Sequence, residues 1–175
     1  MQAVSDATPL IHLSKINRVH YLKRLFEKIF IPKEIYEEVV VKGKKLNKKD
    51  VVLIEGMINE NFIEVRDAAS KAEMPNLHAG EMKAIALCKE LKIKTLIIDE
   101  KEGYDAAGLM GLNPLRTTTL LLMLLDKNVI KFPEYKESLL NLSGSGYFLS
   151  AETYERLLEA GHTKNRKVEK TGKCV

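Results

Sequence analysis

The sequence predicts an α/β domain whose parallel sheet is covered by helices on both faces. Short apolar runs alternate with stretches of helical periodicity along most of the chain, the order that builds parallel sheets. Two of these runs end in an acid, Asp6 and Asp99. In sheets of this kind, sites form at the carboxyl ends of the strands.

Taken in order, "AVSD" (3–6) is a first strand. "TPLIHLSKI" follows as a helix, with Thr8 as N-cap and Pro9 at the first helical position. "VHYLKRLFEKI" (19–29) reads as a second helix, and "IFI" (29–31) as a strand stopped by Pro32. Pro32 opens a helix through "KEIYEEVVV" that Gly43 is placed to end. "KKDVVLIEGMI" (48–58) is helical, with Asp50 near its start, and "NFIEVRD" (61–67) alternates as a strand does. A helix over 80–91, the strand "TLIID" (95–99) and a helix over 102–110 come next. "LNPL" is the last short strand, followed by the helix "TTTLLLMLLDKN". Beyond Phe132, "PEYKESLLNL" and "SAETYERLLEAG" are two more helices, with "SGSGYF" a flexible joint between them and Ser150 capping the second. The expected organisation is a domain over 1–131, a helical segment over 132–161 packed on it, and a basic, disordered tail over 162–175. There are no internal repeats.

A 45% hydrophobic content in 175 residues is enough for one real core. The longest apolar run, "LLLMLL" (120–125), is far too short to span a membrane. "MQAVSDATPL" lacks the basic-then-apolar pattern of a secretory signal, so the expected location is the cytoplasm. Cys88 and Cys174 make no disulfide framework, and Cys88 falls in an apolar helical pattern as a small core residue. A net charge of +4 does not by itself point to a polyanion. The basic run "KGKKLNKKD" (42–50) is either a solvated loop or a surface that faces phosphate.

Each acid has a plain structural explanation when taken alone. Glu81 suits a first helical turn, and Asp99 with Glu102 has the spacing of a capping box. Glu34, Glu37, Glu38 and Asp105 suit solvated helix faces. Asp6 is the exception, because Thr8-Pro9 already starts its helix. Carboxylates gathered in one cleft repel one another unless a cation joins them. With no accompanying His or Cys, hard oxygen donors select Mg²⁺ or Mn²⁺. The four histidines have no zinc spacing, and neither a phosphate-binding glycine loop nor a G-x-S-x-G elbow is present.

In order, "VSDATPLIHLSKI", "IPKEIYEEVV", "AGEMKAIALCKEL", "LIIDE", "GLNPLRTTTLLLMLL" and "SGSGYFLSAETYERLLEAG" resemble the PIN-domain superfamily over residues 3–161. The likeness is to the VapC-like nuclease branch with a C-terminal helical segment. It implies a three-layer α/β/α sandwich and metal-dependent cleavage of RNA. The family's acids fall on Asp6, Glu38, Glu81 and Asp99, with Asp6, Glu81 and Asp99 as ligands of Mg²⁺ or Mn²⁺. Thr117 matches a threonine that orients a carboxylate or a metal-bound water. The implied partners are RNA, a small antitoxin that inserts a basic residue among the acids, and a second copy of the chain. That copy would pair through residues 19–26 or through the C-terminal helices.

Two positions depart from the branch. Lys83 stands where a second acid is usual, and "RTTT" (116–119) stands where Gly-Thr-x-Gly is usual. They favour a second reading, a catalytically inactive PIN-like module that binds RNA or a protein. In the nuclease reading, Arg116 either stabilises the pentavalent phosphate or is a solvated helix-start residue.

Overall fold

The computed structural model describes residues 1–48, 50–68 and 77–171, with side chains described up to residue 164. Five strands form one all-parallel sheet: β1 (Gln2–Ser5), β2 (Lys28–Pro32), β3 (Ile63–Arg66), β4 (Thr95–Ile97) and β5 (Asn113–Leu115). Their order is β3-β2-β1-β4-β5. β1 pairs in register with β2 (Ala3 opposite Ile29) and with β4 (Ser5 opposite Ile97). The chain therefore runs outward from β1 in one direction and then returns to its other side. That makes the β1–β4 gap the switch point, where open α/β sheets bind their ligands. β1, β2 and β4 are almost wholly buried, whereas the edge strands β3 and β5 are partly open. This gradient is expected of a sheet covered on both faces.

The helices flank the sheet as an α/β/α sandwich. α1 (Ala7–Lys15) packs against α4 (Val51–Asn59), and α5 (Ala79–Glu90) lies across β1, β2 and β4 and against α6 (Lys101–Leu109). Between β2 and α4 runs a composite helix: α2 (Lys33–Tyr36), a π-helical stretch (Glu37–Lys42) and α3 (Gly43–Lys45). Residues 1–117 form one compact unit and 118–175 a second. The second unit contains most of α7 (Thr117–Asp126), then α8 (Phe132–Gly144) and α9 (Ala151–Thr171). Tyr135, Ser138, Leu139 and Leu142 make a buried stripe on α8, and Tyr135 donates its hydroxyl to the Leu157 carbonyl of α9 at 3.0 Å. Ser150 Oγ accepts the Thr153 N–H and caps α9, as expected. Among the described residues, no helix is long and apolar enough to cross a membrane.

Several boundaries differ from the sequence reading. Residues 19–29 do not form one helix: Val19–Arg24 is a 3₁₀ helix and Lys28 already belongs to β2. The buried residues Val19, Leu22 and Leu25 recur every three positions, which is the 3₁₀ period. α1 begins after Asp6, whose extended backbone (φ −77°, ψ 171°) makes it the N-cap position in place of Thr8. α9 extends to Thr171, and the chain divides into its two compact units after Thr117.

Gly43 does not end its helix either. Its φ of −59° is helical, and the left-handed residue is Asn47 (φ 51°). Asn47 N–H donates to Lys44 and Lys48 N–H to Gly43, the paired bonds of a Schellman ending. Asn17, Asn61, Lys92 and Asn128 have the same positive φ just past helix ends. Gly43 is needed for space, since a Cβ there would stand 2.4 Å from Val51 Cγ2.

Gly43→Ala is therefore expected to destabilise the protein by about 1–3 kcal/mol in urea unfolding, because the β-branched Val51 has little room to turn away. Val51→Ala should recover part of that loss. If Gly43→Ala instead gains the few tenths of a kcal/mol usual for a helical Gly→Ala change, the contact does not exist.

Candidate active site at the switch point

Asp6 directly follows β1, and its N–H continues the β1–β4 ladder to the Ile97 carbonyl at 2.9 Å. Asp99 lies two residues past β4 on the same edge. Sheet pairing alone therefore brings these two acids to neighbouring strand ends. Glu81 arrives from the first turn of α5, and Glu38 from the π-helical stretch. A cleft of about 640 Å³ opens beside Asp6, Glu38 and Glu81, lined also by Lys42, His78 and Glu100 and by Ala7, Thr8, Ala79 and Gly80 at the starts of α1 and α5.

Asp6 is 5% exposed, yet its side chain makes no capping hydrogen bond to α1. Burial pushes its carboxyl up to about 7, and the charges of Glu81 and Glu38 push the same way. The amides of Ala7 and Thr8 pull against that shift. Glu81 is 3% exposed and divides its oxygens. Oε2 accepts the His78 N–H at 2.9 Å, the return bond of a capping box. Oε1 is buried with no hydrogen-bond partner. Gly103 makes room for it, because a Cβ there would stand 3.1 Å from Oε1 and 2.4 Å from Ile98 Cδ1. A buried carboxylate oxygen without a donor is costly, so this atom points to something that binds it.

Asp99 is held differently. Its two oxygens accept the Thr117 N–H (2.8 Å) and the Thr117 hydroxyl (2.6 Å). It does not cap α6, whose N-cap is Glu100, so the helix-cap explanation fails for it. Nor does Asp99 line the cleft. Among the described residues, no three His, Cys, Asp or Glu side chains are arranged to hold a metal ion. Asp6 and Glu81 share the cleft, and Asp99 stands at the neighbouring strand end. Glu81 Oε2 accepts from His78 and both Asp99 oxygens accept from Thr117. The donor chemistry still fits a hard divalent cation: oxygen ligands only, one of them orphaned.

Both departures from the family pattern lie outside the cleft. Lys83 Nζ bonds the Ala68 carbonyl at 2.6 Å and lies 3.7 Å from Glu34. Arg116, half-buried, bonds the Asp99 carbonyl at 3.1 Å with its guanidinium over the Tyr104 ring, and it does not line the cleft. Glu37 is exposed and does not line the cleft, whereas Glu38 does. Sequence reasoning gave no cleft role to Lys42, His78 or Glu100. The signals were present: Lys42 is four residues past Glu38 on one helical face, and Glu100 adjoins Asp99.

An acid-lined cleft at the switch point of a parallel sheet defines a class of α/β domain suited to hard cations and the phosphoryl groups they bind. The family model DUF3368, described as a PIN domain, matches residues 2–162, and the chain belongs to the PIN-domain family. No curated protein and no solved structure matches it significantly. The PIN fold is a nuclease-type fold, and PIN domains generally use divalent metals.

The Asp6 shift has a direction in stability. The folded pKa lies above the unfolded one, so its contribution is fully present below pH about 4 and is lost as pH rises through about 7. In chelator, Asp6→Asn should melt several degrees above wild type at alkaline pH and level with it in acid. Parallel melting curves across the range would sink the assignment.

Proposed function

We propose that the chain is a metal-dependent endoribonuclease of the VapC toxin type, hydrolysing RNA phosphodiester bonds with Mg²⁺ or Mn²⁺. The observation that carries the reading is Glu81 Oε1, buried without a partner beside an Asp6 whose ionisation is resisted by its surroundings. A cation held by Asp6, Glu81 and Asp99 would supply Lewis-acid stabilisation and a more acidic water. Asp6 and Glu81 supply the charge for it, and Thr117 fixes the carboxylate plane of Asp99. Glu38 is exposed on the cleft wall, the position from which a carboxylate takes the proton of an attacking water.

The second reading, an inactive PIN-like module that binds RNA or a protein, is favoured by one observation: the carboxylates are not arranged as a metal shell. Cleavage of single-stranded RNA separates the two. Wild type should cut in Mg²⁺ or Mn²⁺ and stop on chelation, and Asp6→Asn should lose about two orders of magnitude or more in rate. Calorimetry should show Mn²⁺ binding to wild type and not to the variant. RNA binding that survives chelation, with no cutting of varied RNAs, would establish the inactive module instead.

In the toxin reading the protein acts in the cytoplasm, pairs with itself and is neutralised by an antitoxin whose basic side chain enters the cleft. Of residues 19–26, Val19, Leu22, Leu25 and Phe26 are spent in the core, which leaves that segment a mainly polar surface. Leu140 and Phe148, 53% and 91% exposed, are the apolar surface left near α8. Light scattering on protein isolated from its native host should give twice the chain mass, plus a small companion. A bare monomer at high micromolar concentration counts against both partners.

A further inference from the structure

An acidic cleft repels the polyanion it is proposed to cut, so chain on either side of a scissile phosphate needs a cationic hold. We propose that Lys42, Lys45 and Lys48 form a track for the sugar-phosphate backbone of single-stranded RNA, leading into the acidic cleft; this rests on the ribonuclease reading and adds a substrate-binding surface to it.

Lys42 lines the cleft itself, one turn beyond Glu38. Lys45 lies in the last turn of α3. The Schellman ending then folds the chain back, so that Lys48 N–H reaches the Gly43 carbonyl at 3.0 Å, next to Lys42 in sequence. Asn47, with its positive φ, is the residue that permits this return. All three lysines are exposed, and among the described residues none is within ion-pair reach of a carboxylate. Lys44 differs: its ammonium is 2.6 Å from Glu55. Three uncommitted cations around one helix end, continuous with the cleft wall, suit successive phosphates. Long flexible stems let them follow a strand without reading its sequence.

The test is fluorescence anisotropy with an unstructured RNA of about 20 nucleotides, titrated from about 50 to about 200 mM salt. Full-length protein carries Asp6→Asn so that nothing is cut. Replacing Lys42, Lys45 and Lys48 together by Ala should flatten the slope of log K against log salt by roughly 2, and weaken binding about tenfold near 0.1 M salt. Replacing all three by Arg should keep both values. An Ala triple variant that matches its parent in slope and affinity overturns the track. So does a parent that binds no RNA, or polyglutamate of equal charge displacing the RNA equally well. Cleavage is read separately on protein with Asp6 intact. RNA cut with an unchanged slope removes the track and leaves the nuclease; a flattened slope without cutting does the reverse.

Discussion

Asp6 sits where β1 gives way to α1, almost closed off from solvent, with the carboxylates of Glu81 and Glu38 near enough to raise its pKa further. Ionising it there costs free energy, because burial removes water and like charges add repulsion. The amides of Ala7 and Thr8 favour the charged form, but burial outweighs them. That cost is the constraint to which the neighbouring elements are fitted. α5 delivers Glu81 with one oxygen satisfied and one not, and Gly103 stays bare so that α6 can close over that second oxygen.

Asp99 is the counterweight. Both of its oxygens are donated to by Thr117, and its main-chain carbonyl is held by Arg116. A carboxylate accepting two such bonds keeps one orientation, whereas the ionisation of Asp6 is opposed by its burial. The same edge of the sheet therefore presents one fixed acid, one acid that is costly to ionise and one, Glu81, with an unpartnered oxygen. Arg116 is engaged through the Asp99 carbonyl and the face of Tyr104, so the side chain that departs from the family pattern ties the chain after β5 to α6 and to the turn past β4.

Much of this was legible beforehand, for physical reasons. Buried strands declare themselves by unbroken apolar runs, as in "IFI" and "TLII", and parallel pairing follows from alternation with helices, whereas the strand order does not. Asp6 stood out because its helix seemed to start without it, although the backbone in fact places it at the N-cap. Helix endings were harder. Gly43 has the composition of a terminator, but the chain turns at Asn47, because whether a glycine serves φ or clearance depends on Val51, which only the fold brings near. The 3₁₀ and π-helical stretches share their apolar spacing with an α-helix at short range, so periodicity could not separate them. Lys42 and Glu100 neighbour expected acids along the chain, but His78 enters the cleft through tertiary placement alone.

The π-helical stretch joins the cleft to the surface beyond it. Wider winding over Glu37–Lys42 carries Glu38 to the cleft wall and leaves Lys42 beside it, one acid and one base on a single face. Such bulges occur often at functional sites, since a strained turn persists only where surrounding packing insists on it. Here the packing is the tight approach of Gly43 to Val51, which pins the composite helix to α4 just past the wide turn. Glu38 and Lys42 therefore sit on a segment anchored at its far end by packing against α4. The charge pattern at the cleft mouth thus depends on a hydrophobic contact that touches neither residue.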